Sequence, residues 1–248
     1  MEKDDYVQYL MVLDHLNRTP FDTFRLLVDL HNAYSLINEV PSKLKSYYRL
    51  LLRLRITEVM CEYIELLGDY SVACKETGLL YPQRVLSIGP NEVARFYESS
   101  GNLTDDAIKL IFNPKNNLTP DELLDIRNKY ARIFKFRSEI WSLYNAIKHG
   151  MRVYPLELAP KEKANGDVRN WYLSLQWVHV DQGRDAITQE QAHTWDGKEI
   201  SLPIKKQEIR NDLFPSDDLK SYRSIMDDCH SLIEKILTRH APDKAEPT

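Results

Sequence analysis

Apolar residues recur at intervals of three and four along the first two thirds of the chain, the spacing of amphipathic helices. Tyr6, Leu10, Val12, Leu13 and Leu16 mark a first short helix, and Thr19-Pro20 predicts its end. A second pattern through Phe24, Leu27, Val28, Leu30, Ala33, Tyr34, Leu36 and Ile37 spans Phe21 to Val40 and stops before Pro41. Ser42 is placed to cap a long third helix reaching about Glu76, with Gly68 or Gly78 as its expected terminator. Pro82, Gly89-Pro90, Gly101 and Pro114 then divide a connector holding two short helical pieces, near Asn91–Ser99 and Thr104–Phe112. Thr119-Pro120-Asp121-Glu122 combines a capping hydroxyl, a first-turn proline and acids at the positive end of the helix dipole. The helix it starts is predicted to run to Lys148 or His149.

After Gly150 the period changes to two. Trp171, Leu173, Leu175 and Trp177 alternate with Tyr172, Ser174, Gln176 and Val178, which predicts a strand. Met151–Leu158 is its expected partner, and Glu199–Ile204 a third strand after the Asp196-Gly197 turn. From about Ser216 the helical period returns through Leu219, Tyr222, Met226, Cys229, Ile233 and Ile236. The expected fold is therefore mainly α: a helical bundle with a small antiparallel β-sheet inserted before a C-terminal helix that packs back on the bundle. The corresponding divisions are a bundle over 1–150, a β insert over 151–205, a docking helical segment over 206–240 and a disordered tail over 241–248.

Composition narrows the class without naming a function. With 43% hydrophobic and 28% charged residues among 248, the chain resembles an ordinary globular protein able to bury its own core. No apolar run approaches the roughly 18 residues of a membrane span, and the acidic start Met1-Glu2-Lys3-Asp4-Asp5 does not resemble a secretory signal. A cytoplasmic chain with no membrane partner is expected. Cys61, Cys74 and Cys229 lack paired C-x-x-C spacing, so three reduced thiols are expected rather than a zinc site or disulfides. No phosphate-cradling glycine loop, dinucleotide fingerprint or nucleophile elbow occurs, so no cofactor is expected. Glu58, Glu62 and Glu65 share a helix face, but no Glu-x-x-His accompanies them to build a di-metal site; a solvated acidic face is expected. Asp227, Asp228 and His230 do not converge either, and His230 is expected to be structural.

The net charge of −4 disfavours bulk electrostatic coating of nucleic acid, yet two segments depart from it. Lys43, Lys45, Arg49, Arg53 and Arg55 form one acid-free run with Tyr47 and Tyr48, and Arg127, Lys129, Arg132, Lys135 and Arg137 form another. Each offers a local positive field to phosphates, or a helix face balanced by acids from elsewhere in the fold. On the helix carrying the second run, Ala131, Ser138, Ser142, Asn145 and His149 make a narrow stripe of small or short polar residues. Such a stripe permits close approach of another element, and the expectation is a homodimer through the Ser138/Ser142/Asn145/His149 face. Arg137 projects on the side of Tyr130, Trp141 and Tyr144, where a guanidinium must be paired, stacked or directed into a cleft.

The end of that helix, Leu143-Tyr144-Asn145-Ala146-Ile147-Lys148-His149-Gly150, is the segment with the most chemical content. Asn145-x-x-x-His149 resembles part of the motif of HEPN domains, helical domains of bacterial and archaeal toxin and defence systems. Members that cut RNA carry an arginine, then commonly a polar residue, and a histidine after four to six positions, and they act without metal in a cleft formed by a dimer. The resemblance implies an RNA-directed protein with His149 as general acid or base and Asn145 fixing its tautomer or the phosphate. Here Tyr144 stands at the arginine position, so Lys148, Arg152 and Arg137 become the candidate phosphate-binding cations, with Tyr144 beside them. The motif has low specificity, since Arg25/His31 and Arg223/His230 also meet the arginine-to-histidine spacing. Two functions are therefore expected in parallel: a metal-independent endoribonuclease of a prokaryotic toxin or defence system, or a catalytically silent helical module that binds a protein or nucleic-acid partner. On the silent alternative His149 is a helix-terminal imidazole capping carbonyls.

Overall fold

A computed structural model describes residues 3–37, 42–77, 80, 82–99, 103–112, 118–148, 153–158, 172–180, 189–193, 199–210 and 218–240. Seven helices lie among them: α1 (Lys3–Leu36), α2 (Ser42–Thr77), α3 (Pro82–Ser87), α4 (Pro90–Ser99), α5 (Asp105–Phe112), α6 (Pro120–Lys148) and α7 (Asp218–His240). The chain divides into two compact units, one of residues 1–26, 59–139 and 219–248 and one of residues 27–58 and 140–218.

Of the residues described down to their side chains, 94% are helical and none lies in a strand. The expectation of a helical bundle with an inserted antiparallel sheet is corrected accordingly to a helical bundle. Extended backbone runs over Val153–Leu158, Tyr172–Val180, Gln189–His193 and Glu199–Arg210, the region of the period-two alternation. Its side chains lie outside the described ones, and every described core residue outside a helix, namely Leu80 and Leu103, belongs to a helix connector. Alternation reports that a backbone can be extended; it does not decide what forms the core.

One expected helix end is also corrected. Thr19-Pro20 does not break the first helix, because α1 continues through Pro20 to Leu36. Proline removes one amide donor from a helix. Around it the Thr19 hydroxyl donates to the His15 carbonyl (3.1 Å) and the Thr23 hydroxyl to the Thr19 carbonyl (2.8 Å). α2 ends at Thr77, beside Gly78, the second of its two expected terminators, while Gly68 stands inside the helix and lets α4 approach it. A Cβ at Gly68 would stand 2.6 Å from Val93 Cγ1 and 2.9 Å from Tyr97 Cε2, closer than packed carbons allow.

The core of the first unit is built from facing helical stripes. Tyr63, Ile64, Leu67 and Tyr70 of α2 are fully buried, as are Ile108, Ile111 and Phe112 of α5, Ile126 and Ile133 of α6, and Met226, Cys229, Ile233 and Ile236 of α7. An aromatic cluster joins α4 to α6: Tyr97 meets Phe134 edge-on at 5.1 Å, and Phe96 meets Tyr130 and Phe134 at 6.1 and 5.9 Å. Polar clamps tie α7 into this unit. His240 Nδ1 accepts from the Leu80 amide (3.2 Å) while its Nε2 bonds the Ile111 carbonyl (2.9 Å), and Arg132 grips Asp228 with two bonds of 2.8 and 2.9 Å. His230 stacks on Phe21 at 3.9 Å and bonds the Tyr63 hydroxyl (2.8 Å), a structural role.

The second unit buries Val28, Leu50, Ile56, Leu143 and Tyr144. At its interior Arg53 Nε donates to His31 Nε2 (3.1 Å), which requires a neutral imidazole with a free lone pair.

The sequence signal at α6 is realised as a capping box. Thr119 Oγ1 accepts from the Glu122 amide (3.2 Å) and Glu122 Oε2 accepts from the Thr119 amide (3.0 Å). Lys235 and Arg239 of α7 pair with the other Glu122 oxygen, at 3.3 and 3.0 Å. Thr119→Ala is expected to lower stability by about 1 kcal/mol in urea unfolding, and Thr119→Ser to leave it within error.

Candidate functional site

The expected site residues divide between the two units. In the second unit, Tyr144 is 1% exposed and its ring tilts against Trp141 at a centroid distance of 5.2 Å. Asn145 is half-buried, and Lys148 is exposed with its Nζ 5.3 Å from the Tyr144 ring centroid. His149 and Arg152 lie outside the described residues, as does the Ser142 side chain. The Tyr144 side chain thus belongs to the core. An aromatic ring packed there supplies no charge, and a guanidinium in the same place would pay a desolvation cost.

Arg137, one expected substitute, belongs to the first unit and is also held inside. It is 8% exposed, with its guanidinium carbon 4.5 Å from the Tyr97 ring centroid. Burial pulls its pKa down, opposed by the neighbouring Tyr97, Glu65, Cys61 and Glu98. Stacking on an aromatic face is one outcome realised.

Among the described side chains, the two basic segments are largely engaged within their own units. Arg127 pairs with Asp105, Lys129 with Asp125 (2.9 Å) and the Ser231 hydroxyl (3.0 Å), and Arg132 with Asp228. In the other segment Arg55 pairs with Glu58, Arg53 binds His31, and burial lowers the pKa of half-buried Arg49. Acids from other elements balance Arg127 and Arg132, acids of the same helix balance Lys129 and Arg55, and Arg53 is held by a histidine. Lys135 differs: it is exposed, and among the described residues no ion pair is formed by its ammonium.

Lys135 stands on the rim of a groove of about 650 Å³ in the first unit. Six of the lining residues, Arg127, Tyr130, Ala131, Phe134, Lys135 and Ser138, come from one face of α6. Tyr97 and Glu98 at the end of α4, with Leu103 and Thr104 before α5, form the opposite wall. Thr104 is fixed there by capping α5, its Oγ1 accepting from the Ala107 amide (3.2 Å). The Ser138 hydroxyl donates back to the Lys135 carbonyl (2.7 Å). Ala131 and Ser138 were expected to belong to a stripe open to a second helix; small side chains at these positions leave room for the groove. Sequence reasoning missed the opposite wall, because Tyr97 reads as a core position and nothing local places Glu98 or Thr104 beside α6.

Other chemistry is weak. Burial raises the pKa of all three thiols, which keeps them protonated and unreactive. Among the described residues no group of three or more His, Cys, Asp or Glu is placed to hold a metal ion, and no helix is long and apolar enough to cross a membrane. No protein-family model, curated protein or solved structure matches the chain.

Proposed function

We propose that the protein is a catalytically silent, HEPN-like helical module that binds RNA without cutting it. The observation that carries this reading is the burial of Tyr144, 1% exposed at the position where the RNA-cutting members carry arginine. Cleavage of a phosphodiester needs charge directed at the oxygens where negative charge develops. Tyr144 offers none, and Arg137 is committed to the Tyr97 face. Binding is less demanding, since phosphates need only accessible cations and bases an aromatic surface. Lys148, exposed one turn beyond Tyr144, and Lys135, on its aromatic-lined groove, supply such cations in each unit.

The test is to incubate end-labelled single-stranded RNA with wild type and His149→Ala in EDTA, resolving bound and cut RNA on native and denaturing gels. Retarded, intact RNA with both proteins is expected. Cutting by wild type that His149→Ala abolishes would establish the nuclease in place of the silent module, and RNA neither bound nor cut would leave a protein partner as the alternative.

A further inference from the structure

The groove on α6 combines an aromatic floor with a cation toward each end and one carboxylate. Arg127 and Lys135 are eight residues apart on the same helix, about 12 Å along its axis. Between them lie Tyr130, Ala131 and Phe134, and of the two rings Phe134 keeps partial exposure while Tyr130 is 1% exposed. Ala131, exposed and smallest of the α6 lining residues, leaves the space over this floor open. The edge-on contacts of Phe134 with Tyr97 and Phe96 fix the ring in place, so little side-chain entropy remains to be lost when a flat ligand settles against it.

The polar groups fit two different parts of one ligand. Thr104 accepts the Ala107 amide through its oxygen, which leaves its hydroxyl hydrogen for an acceptor in the groove. Arg127 spends one terminal nitrogen on Asp105, and its other donors are available to the same end. The exposed ammonium of Lys135 serves the other end. The Glu98 carboxylate accepts hydrogen bonds and donates none, and it repels a phosphate. It suits an exocyclic amino group of a nucleobase, which cytosine carries and uracil lacks.

We infer that this groove seats one unpaired nucleotide of an RNA strand, its base on the Phe134 floor with its amino edge toward Glu98 and its flanking phosphates on Lys135 and on Arg127 with Thr104. The inference rests on the RNA-binding reading above and adds where the strand sits and which bases it favours. A duplex is excluded, because paired and stacked bases expose neither a face nor their pairing edge.

The experiment is fluorescence anisotropy with labelled twelve-nucleotide oligo(C) and oligo(U), and a twelve-base-pair RNA duplex, against the full chain. Wild type should bind oligo(C) more tightly than oligo(U), and the duplex most weakly. Ala131→Trp fills the groove without changing charge, and Lys135→Glu reverses one cation; both positions are exposed, so folding is retained and is checked by thermal melting. Each should weaken oligo(C) binding by about tenfold or more, and Glu98→Gln should reduce the preference for oligo(C) over oligo(U). RNA binding by wild type that both Ala131→Trp and Lys135→Glu leave unchanged overturns the groove while the RNA-binding reading stands. Absence of RNA binding by wild type overturns both.

Discussion

Replacing Tyr130 by alanine is expected to lower the stability of the first unit by about 3–5 kcal/mol, the usual range for deleting a buried aromatic ring. Tyr130 is 1% exposed and its ring lies 5.5 to 6.1 Å from those of Phe134, Phe112 and Phe96. Three elements therefore lose a shared contact at once, and a cavity at the junction of α4, α5 and α6 has little freedom to collapse. The hydroxyl contributes less. It lies 2.6 Å from the Ser71 hydroxyl, which also donates to the Leu67 carbonyl (2.6 Å), so Tyr130→Phe strands no buried donor. About 1 kcal/mol is expected for that change. Urea unfolding of the two variants separates ring from hydroxyl, and similar losses for both would contradict the packing account.

A second large effect is expected from pH. His31 is 1% exposed, and burial, then the charges of Arg53 and Arg49, lower its pKa from 6.5 to about 4. Above pH 6.5 the imidazole is neutral in both folded and unfolded chains, and its contribution is fully present. As pH falls from 6.5 toward 4 the unfolded chain takes up a proton that the folded chain refuses, so stability is lost across that window and no further below it. A shift of this size corresponds to roughly 3 kcal/mol. Protonation also removes the lone pair that accepts from Arg53 Nε, setting two cations together inside the second unit. His31→Gln keeps an acceptor without the titration. The stability difference between His31→Gln and wild type should therefore move in favour of the variant between pH 7 and 4; a constant difference would mean that His31 does not titrate in that window.

The helical content was legible because it depends on local pattern. The stripes of α2, α6 and α7 and the Thr119/Glu122 capping box can be read from spacing alone, since a helix satisfies its backbone and aligns its apolar face within one segment. The Pro20 position was misjudged for a related reason, and of the two glycines offered as the end of α2 the later one, Gly78, follows it. A proline or glycine costs a helix a known local amount, but surrounding packing can offset it, and Gly68 is present because α4 comes so close. The alternation around Trp171–Val178 was visible, yet a strand pattern does not identify which elements form the core. The site divided similarly. Sequence located the basic segment and the stripe containing Ala131 and Ser138, but could not show that Asp105 and Asp228, distant in the chain, would claim Arg127 and Arg132. Nor could it place Tyr97, Glu98 and Thr104 across from Lys135, because that juxtaposition depends on how α4 and α5 pack against α6.

The central claim is RNA binding without cleavage, and its most direct test is a titration of wild-type protein into labelled single-stranded RNA at several salt concentrations, with the RNA recovered afterwards. Most of the described cations of the two basic segments are engaged internally, so few of them can neutralise phosphates. Saturable binding of intact RNA is expected, with a log–log salt slope between about −1 and −2, as for two or so phosphates on a single strand. No saturable binding at the lowest salt, or RNA recovered as fragments with EDTA present, would contradict the account.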